Sequence, residues 1–138
     1  NQFFKNLMQQ YVGPSKLSFI FTSHIENELN DETGQHEMRI PVKGALKKVG
    51  VAAFFTVIVQ AFRMTIKKME KYKKDNELLE ITPRDEALGY KYVFQTQTTK
   101  ETIGDCIRGP FEMFAVQESF MDNDAQALLD VVDDFYNE

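Results

Sequence analysis

The run "FFTVIVQAFRM", residues 54–64, constrains the fold more than any other stretch of the chain. Its β-branched and aromatic side chains crowd a helix but suit a pleated strand. It is far shorter than the roughly 18 apolar residues of a membrane-spanning helix, and no other run comes closer. It reads as a core strand. "KLSFIFT", residues 16–22, is apolar without alternation, the mark of a strand covered on both faces of a parallel or mixed sheet. "YKYVFQTQT" is a third strand, in which Tyr90, Tyr92 and Phe94 alternate with Lys91, Val93 and Gln95.

Helical spacing appears at both ends. Phe3, Phe4, Leu7, Met8 and Tyr11 recur on one stripe until Gly13-Pro14 stops it. "MDNDAQALLDVVDDFYNE" predicts a helix capped by Asp122 or Asn123, with Leu128, Leu129, Val132 and Phe135 on one side. Between them, "ENELNDETGQHEMR" reads as a polar loop with a glycine turn, and "GALKKVGVAA" as a short helix or turn. "TIKKMEKYKKDNELLEITPRDEALG" reads as a solvated, charged hairpin arm, while "FEMFAVQESF" fits either regular structure. The resulting order is helix, strand, loop, helix, strand, arm, strand, helix. That order predicts an α/β fold, like half of a larger sheet with flanking helices.

The chain has 138 residues, enough for one sizeable core, and a net charge of −5. The charge is divided. Residues 39–74 hold ten Lys and Arg against Glu70 alone, whereas residues 109–138 hold eight Asp and Glu and no base. Such a division fits either solvated faces or an anionic partner for which the acidic tail competes. The one cysteine, Cys106, allows no internal disulfide and points to a reducing compartment. Asp105 beside it opposes a thiolate, so a nucleophilic role is not assigned. The chain opens without Met on "NQFFKNLMQQYVG" and reads as a fragment.

Metal and nucleotide motifs are missing. His24 and His36 stand among Glu26, Glu28, Asp31, Glu32 and Glu37, but not at HExxH or EF-hand spacing. No metal site is assigned. There is no GxxxxGK[ST], no GxGxxG, and no apolar strand ending in a Walker B acid. Two strand exits do collect polar groups. "FIFTSHIE" ends in Thr22, Ser23, His24 and Glu26, and "YVFQTQTTKETIGDCIRGP" runs through two Gln and three Thr to Lys100 and Arg108. Lys and Arg at such an exit can reach a phosphate, though Thr residues there equally cap turns.

"FIFTSHIE", "PVKGALKKVGVAAFFTVIVQAFRM" and "YKYVFQTQTTKETIGDCIRGPFEMF" together resemble the C-terminal half of RecA-like P-loop ATPases. The likeness is closest to phage-encoded ATP-binding proteins of DNA recombination and repair, and it covers roughly residues 15–114. The resemblance implies a mixed or mostly parallel RecA-like sheet over residues 1–114, with residues 115–138 as an acidic helical tail. It implies that Ser23, His24 and Glu26 sit where the family senses the γ-phosphate. Residues 26–42 match the DNA-facing loop, with Arg39, Lys43, Lys47 and Lys48 as contacts to single-stranded DNA. Lys100 and Arg108 match basic residues that approach a neighbouring subunit's nucleotide, which implies a homo-oligomeric ring or filament. ATP and Mg2+ would be held by the complete protein, in the host cytoplasm and away from membranes, because Walker A and Walker B lie outside this chain. The alternative is a non-enzymatic module that binds nucleic acid or a protein through the "KKMEKYKK" arm.

Overall fold

The computed structural model describes residues 2–41, 51–102 and 106–137, and divides the chain into two units, Asn1–Phe55 and Thr56–Glu138. Each is treated by itself.

In the first unit, α1 (Gln2–Asn6) runs into a π-helical stretch, Leu7–Val12, closed where the Gly13 N–H donates to the Met8 carbonyl at 2.8 Å. The expected amino-terminal helix is therefore present, with a widened last turn. Residues 26–42, expected as an irregular loop, contain a hairpin instead. Its strands, β1 (Glu26–Asn30) and β2 (Gln35–Arg39), pair antiparallel from Glu26↔Arg39 to Asn30↔Gln35. The turn explains the difference. Asn30 Oδ1 accepts from the Glu32 and Thr33 amides, and Gly34 takes φ 68°, a conformation that favours glycine. Polar side chains on both faces hide such a hairpin from any search for apolar alternation. Residues 17–21 correct the expectation in the other direction. They form no regular structure and join no strand among the described residues, and Leu17 is 75% exposed. An apolar run becomes a strand only when a neighbour supplies its hydrogen bonds. The ring contact of Phe21 with Phe55, at 5.2 Å, supplies none.

The second unit is built on a three-stranded antiparallel sheet in the order β3 (Gln60–Thr65), β4 (Tyr90–Gln95), β5 (Phe120–Asp122). Both sheets among the described residues are antiparallel, so the α/β class holds without a parallel pair. The predicted charged arm is two helices, α2 (Ile66–Lys73) and α3 (Pro83–Leu88). Thr65 caps α2, and Ile66, Met69 and Tyr72 turn inward from it. Thr82 and Asp85 form a reciprocal capping box around Pro83, and Gly89 closes α3 at φ 77°. The Ile66 amide donates to the Gly89 carbonyl at 3.0 Å, so the chain leaves and re-enters the sheet at one end. That closure makes β3 and β4 antiparallel.

Successive residues of β4 and β5 face opposite ways and feed two cores. Val93 and Phe120 join Met64, Met69 and Leu79 beneath α2. Phe94 and Met121 join Met113, Phe114 and the inner side of α4 (Ala125–Tyr136). Asp124 caps α4, accepting from the Gln126 and Ala127 amides, one or two residues beyond the expected cap. Gly89→Ala is expected to destabilise the second unit by about 1–2 kcal/mol, because a Cβ is strained in the left-handed region. Open space around that Cβ removes steric clash as an alternative cause. A lower urea midpoint measures it.

Candidate functional site

The end of the β3–β4–β5 sheet where β4 exits carries one of the predicted basic residues, Arg108, and the chain leaving β4 runs on to another, Lys100. Gln60 pairs with Gln95 across the ladder. Two residues before Gln60, Ile58 forms a bridge with Arg108, by backbone hydrogen bonds of 2.8 and 3.0 Å. Arg108 is thereby fixed at the end of the sheet from which residues 95–100 leave. Its side chain and that of Lys100 are both exposed.

The polar residues of this exit hold it in shape. Gln95 is 1% exposed, and its Nε2 donates to the Gln97 carbonyl at 2.9 Å and to Thr102 Oγ1 at 2.7 Å. Thr96 Oγ1 donates to the Glu118 carbonyl, and Gln97 Nε2 to the Ala115 carbonyl at 2.6 Å. Thr102 Oγ1 also accepts the Thr99 amide at 2.7 Å. A buried amide without such partners destabilises the fold by its full desolvation cost. Gln95, Thr96, Gln97, Thr99 and Thr102 are thus engaged within the chain, and Thr98, Lys100 and Arg108 are exposed. Sequence reasoning passed over Thr102. The signal for it was Gln95, a polar residue in phase with buried Val93.

Cys106 is half-buried. Burial pushes its thiol pKa up, which keeps it protonated and poorly nucleophilic at neutral pH.

The remaining predicted residues belong to the first unit. Ser23 Oγ donates to the His24 carbonyl at 2.8 Å, and His24 and Glu26 are exposed beside the start of β1. Glu26 stands opposite Arg39 in the hairpin ladder. Arg39 contacts Glu37 at 2.8 Å and Glu28 at 3.8 Å. The hydrogen bond from Arg39, joined by one from Asn30, lowers the Glu37 pKa; the same bond to Glu37 raises that of Arg39. Arg39 is therefore already engaged by carboxylates. Lys43, Lys47 and Lys48 lie outside the described residues. His36 Nδ1 is 3.1 Å from Asn27 Oδ1, and no group of three potential metal ligands occurs among the described residues. No helix among them is long and apolar enough to cross a membrane.

No family model, curated protein or solved structure matches the chain.

Proposed function

We propose that the chain is part of a phage RecA-like ATP-binding protein of DNA recombination or repair, working as a homo-oligomeric ring or filament in the host cytoplasm. In the complete protein the RecA-like sheet is mixed or mostly parallel. The observation that carries the reading is the shared sheet end, where a backbone bridge holds exposed Arg108 beside the exit that leads to exposed Lys100. An Arg whose backbone is fixed at a sheet end, with a Lys on the chain leaving that end, suits the charge that develops on a neighbouring subunit's γ-phosphate. Ser23, His24 and Glu26 act on the ATP and Mg2+ of their own subunit, where a hydroxyl or imidazole orients the attacking water. The polar hairpin, with Arg39 and then Lys43, Lys47 and Lys48, faces single-stranded DNA.

The test is ATP turnover of the complete protein, including its P-loop half, with and without single-stranded DNA. Arg108→Ala is expected to lower DNA-stimulated turnover by about 10³-fold, the lower bound for an arginine finger. Unchanged turnover in both Arg108→Ala and His24→Ala overturns the assignment.

Helix α2 favours a second reading, a non-enzymatic module that takes an anionic partner. Met69 is buried while Lys67, Lys68, Lys71 and Lys74 are exposed. Binding of labelled single-stranded DNA to this chain without nucleotide, weakened by salt and by neutralising those lysines, supports this reading.

A further inference from the structure

The two covered faces of the β3–β4–β5 sheet differ in charge. On one lies α2, where Lys67, Lys68 and Lys74 are exposed and have no ion-pair partner among the described residues. Lys71 has Glu101 at 4.0 Å, with both side chains mostly exposed, and lies 5.5 Å from the centre of the Tyr72 ring. On the other lies α4, where Asp130, Asp133 and Asp134 are exposed and form no salt bridge among the described residues. Asp130 accepts one hydrogen bond, from Gln126 Nε2 at 2.8 Å.

The sheet stands between the two helices. Consecutive residues Val93 and Phe94, and again Phe120 and Met121, belong to the α2 core and the α4 core respectively. Helix α4 is held on its own side by Leu128, Val131, Val132 and Phe135, so its aspartates cannot fold over onto the lysines of the same chain. Another copy can bring them there.

We propose that the Asp130–Asp133–Asp134 face of α4 in one copy docks on the Lys67–Lys68–Lys71–Lys74 face of α2 in the next, a head-to-tail contact between copies of this chain. Because the two patches are different surfaces on opposite sides of one sheet, the contact leaves one patch free at each end. It therefore builds a ring or a growing filament, not a closed twofold dimer. Surface ion pairs are individually weak and screened, so the assembly is concentration-dependent and salt-sensitive. The inference deepens the second reading, on whose basic helix it rests, by naming the partner of α2.

Sedimentation velocity of the chain without nucleotide or DNA tests it. At low ionic strength, a rise in concentration should bring the weight-average mass to at least about twice that of one chain, and higher still without a plateau at the dimer unless a ring closes. In about 1 M salt, where screening acts within roughly 3 Å, it should return to one chain. Lys67→Glu/Lys68→Glu/Lys71→Glu and Asp130→Lys/Asp133→Lys/Asp134→Lys should each stay single. An equimolar mixture of the two should assemble, since each reversed patch now meets its complement, and this restoration also shows that both variants fold. A wild-type chain that stays single at every concentration, a dimer that stops at two, or assembly indifferent to the reversals overturns the proposal. If the single chain still binds labelled single-stranded DNA through the same lysines, only the copy-to-copy contact falls. If it binds neither, the reading of α2 falls with it.

Discussion

Phe120→Ala is expected to cost the second unit about 3–5 kcal/mol, the usual range for emptying a fully buried aromatic site. Phe120 is 2% exposed and stands edge-on to Phe62, with ring centroids 5.9 Å apart, and 4.4 Å from the Tyr72 ring. It joins β5 to the underside of α2. The strand it anchors is short, from Phe120 to Asp122. Few ladder bonds hold that strand, so burial of Phe120 and Met121 must keep it in place. The damage also spreads to a polar anchor. Asn76 is 3% exposed, and its Nδ2 donates to the Phe120 carbonyl at 2.7 Å. A shift of β5 leaves one N–H of that buried amide unpaired, while the other keeps its bond to the Tyr72 carbonyl at 3.2 Å. Urea denaturation followed by far-ultraviolet circular dichroism measures the loss. Phe120→Leu, which refills part of the volume, should recover a large share of it. A loss below about 1 kcal/mol for the alanine variant would mean that the cavity collapses around it and the ring is not the keystone of that core.

What the sequence reveals depends on how local the determining signal is. Strand β4 and helix α4 are legible because each writes its own periodicity, Tyr90-Tyr92-Phe94 against Val93 and the apolar stripe through Val132 and Phe135. Even so, α4 begins after Asp124, because Asp122 is taken by β5 and by Lys91. The two helices misread as an arm were also written locally. "TPRDEALG" carries a capping box, a first-turn proline and a terminal glycine, but the surrounding lysines drew attention to charge alone. The first-unit hairpin is hidden for the opposite reason, since its Asn30–Gly34 turn is clear but each strand carries a single apolar residue, Leu29 or Met38, and so writes no alternation. The failures at residues 17–21 and 54–59 are nonlocal. Phe54 and Phe55 meet the Phe4 ring, at 5.4 and 6.3 Å, and β3 starts only at Gln60. The candidate site divides in the same way. Exposed Lys100 and Arg108 could be picked out by residue type, but only the Ile58–Arg108 bridge brings Arg108 to the β4 exit.

Lys91→Met is expected to cost about 2–3 kcal/mol at neutral pH, somewhat below the 3–5 kcal/mol seen when one partner of a fully buried pair is removed. Lys91 Nζ lies 2.9 Å from Asp122 Oδ1 and 3.3 Å from Asp85 Oδ2, and donates to the Glu80 carbonyl at 2.6 Å. The Lys91, Asp85 and Asp122 side chains are 16%, 14% and 28% exposed, so water reaches them and moderates the cost. Burial alone would lower the Lys91 pKa, but the bonds and charges of Asp122 and Asp85 outweigh it and raise it. The Thr82 amide, opposed by burial and helped by the Thr82 hydroxyl and Lys91, lowers the Asp85 pKa. The signs follow from linkage. The Asp85 contribution is present above the unfolded carboxyl value of about 3.9 and is lost as pH falls through the lower folded value. The Lys91 contribution is present below the unfolded amine value of about 10.4 and is lost as pH rises through the higher folded value. Wild-type stability from this cluster therefore holds a plateau between those limits. In Lys91→Met the Asp85 carboxylate loses its cation, so the deficit is greatest when Asp85 is ionised. It should shrink as acid protonates Asp85. Adding Asp122→Asn to Lys91→Met removes one of the stranded charges and should recover part of the loss at neutral pH. Urea midpoints for the wild type and both variants across an acid series check this. A deficit that stays constant through the carboxyl range, or a double variant weaker than the single one, would mean that Lys91 acts through the packing of its methylenes and not through its charge.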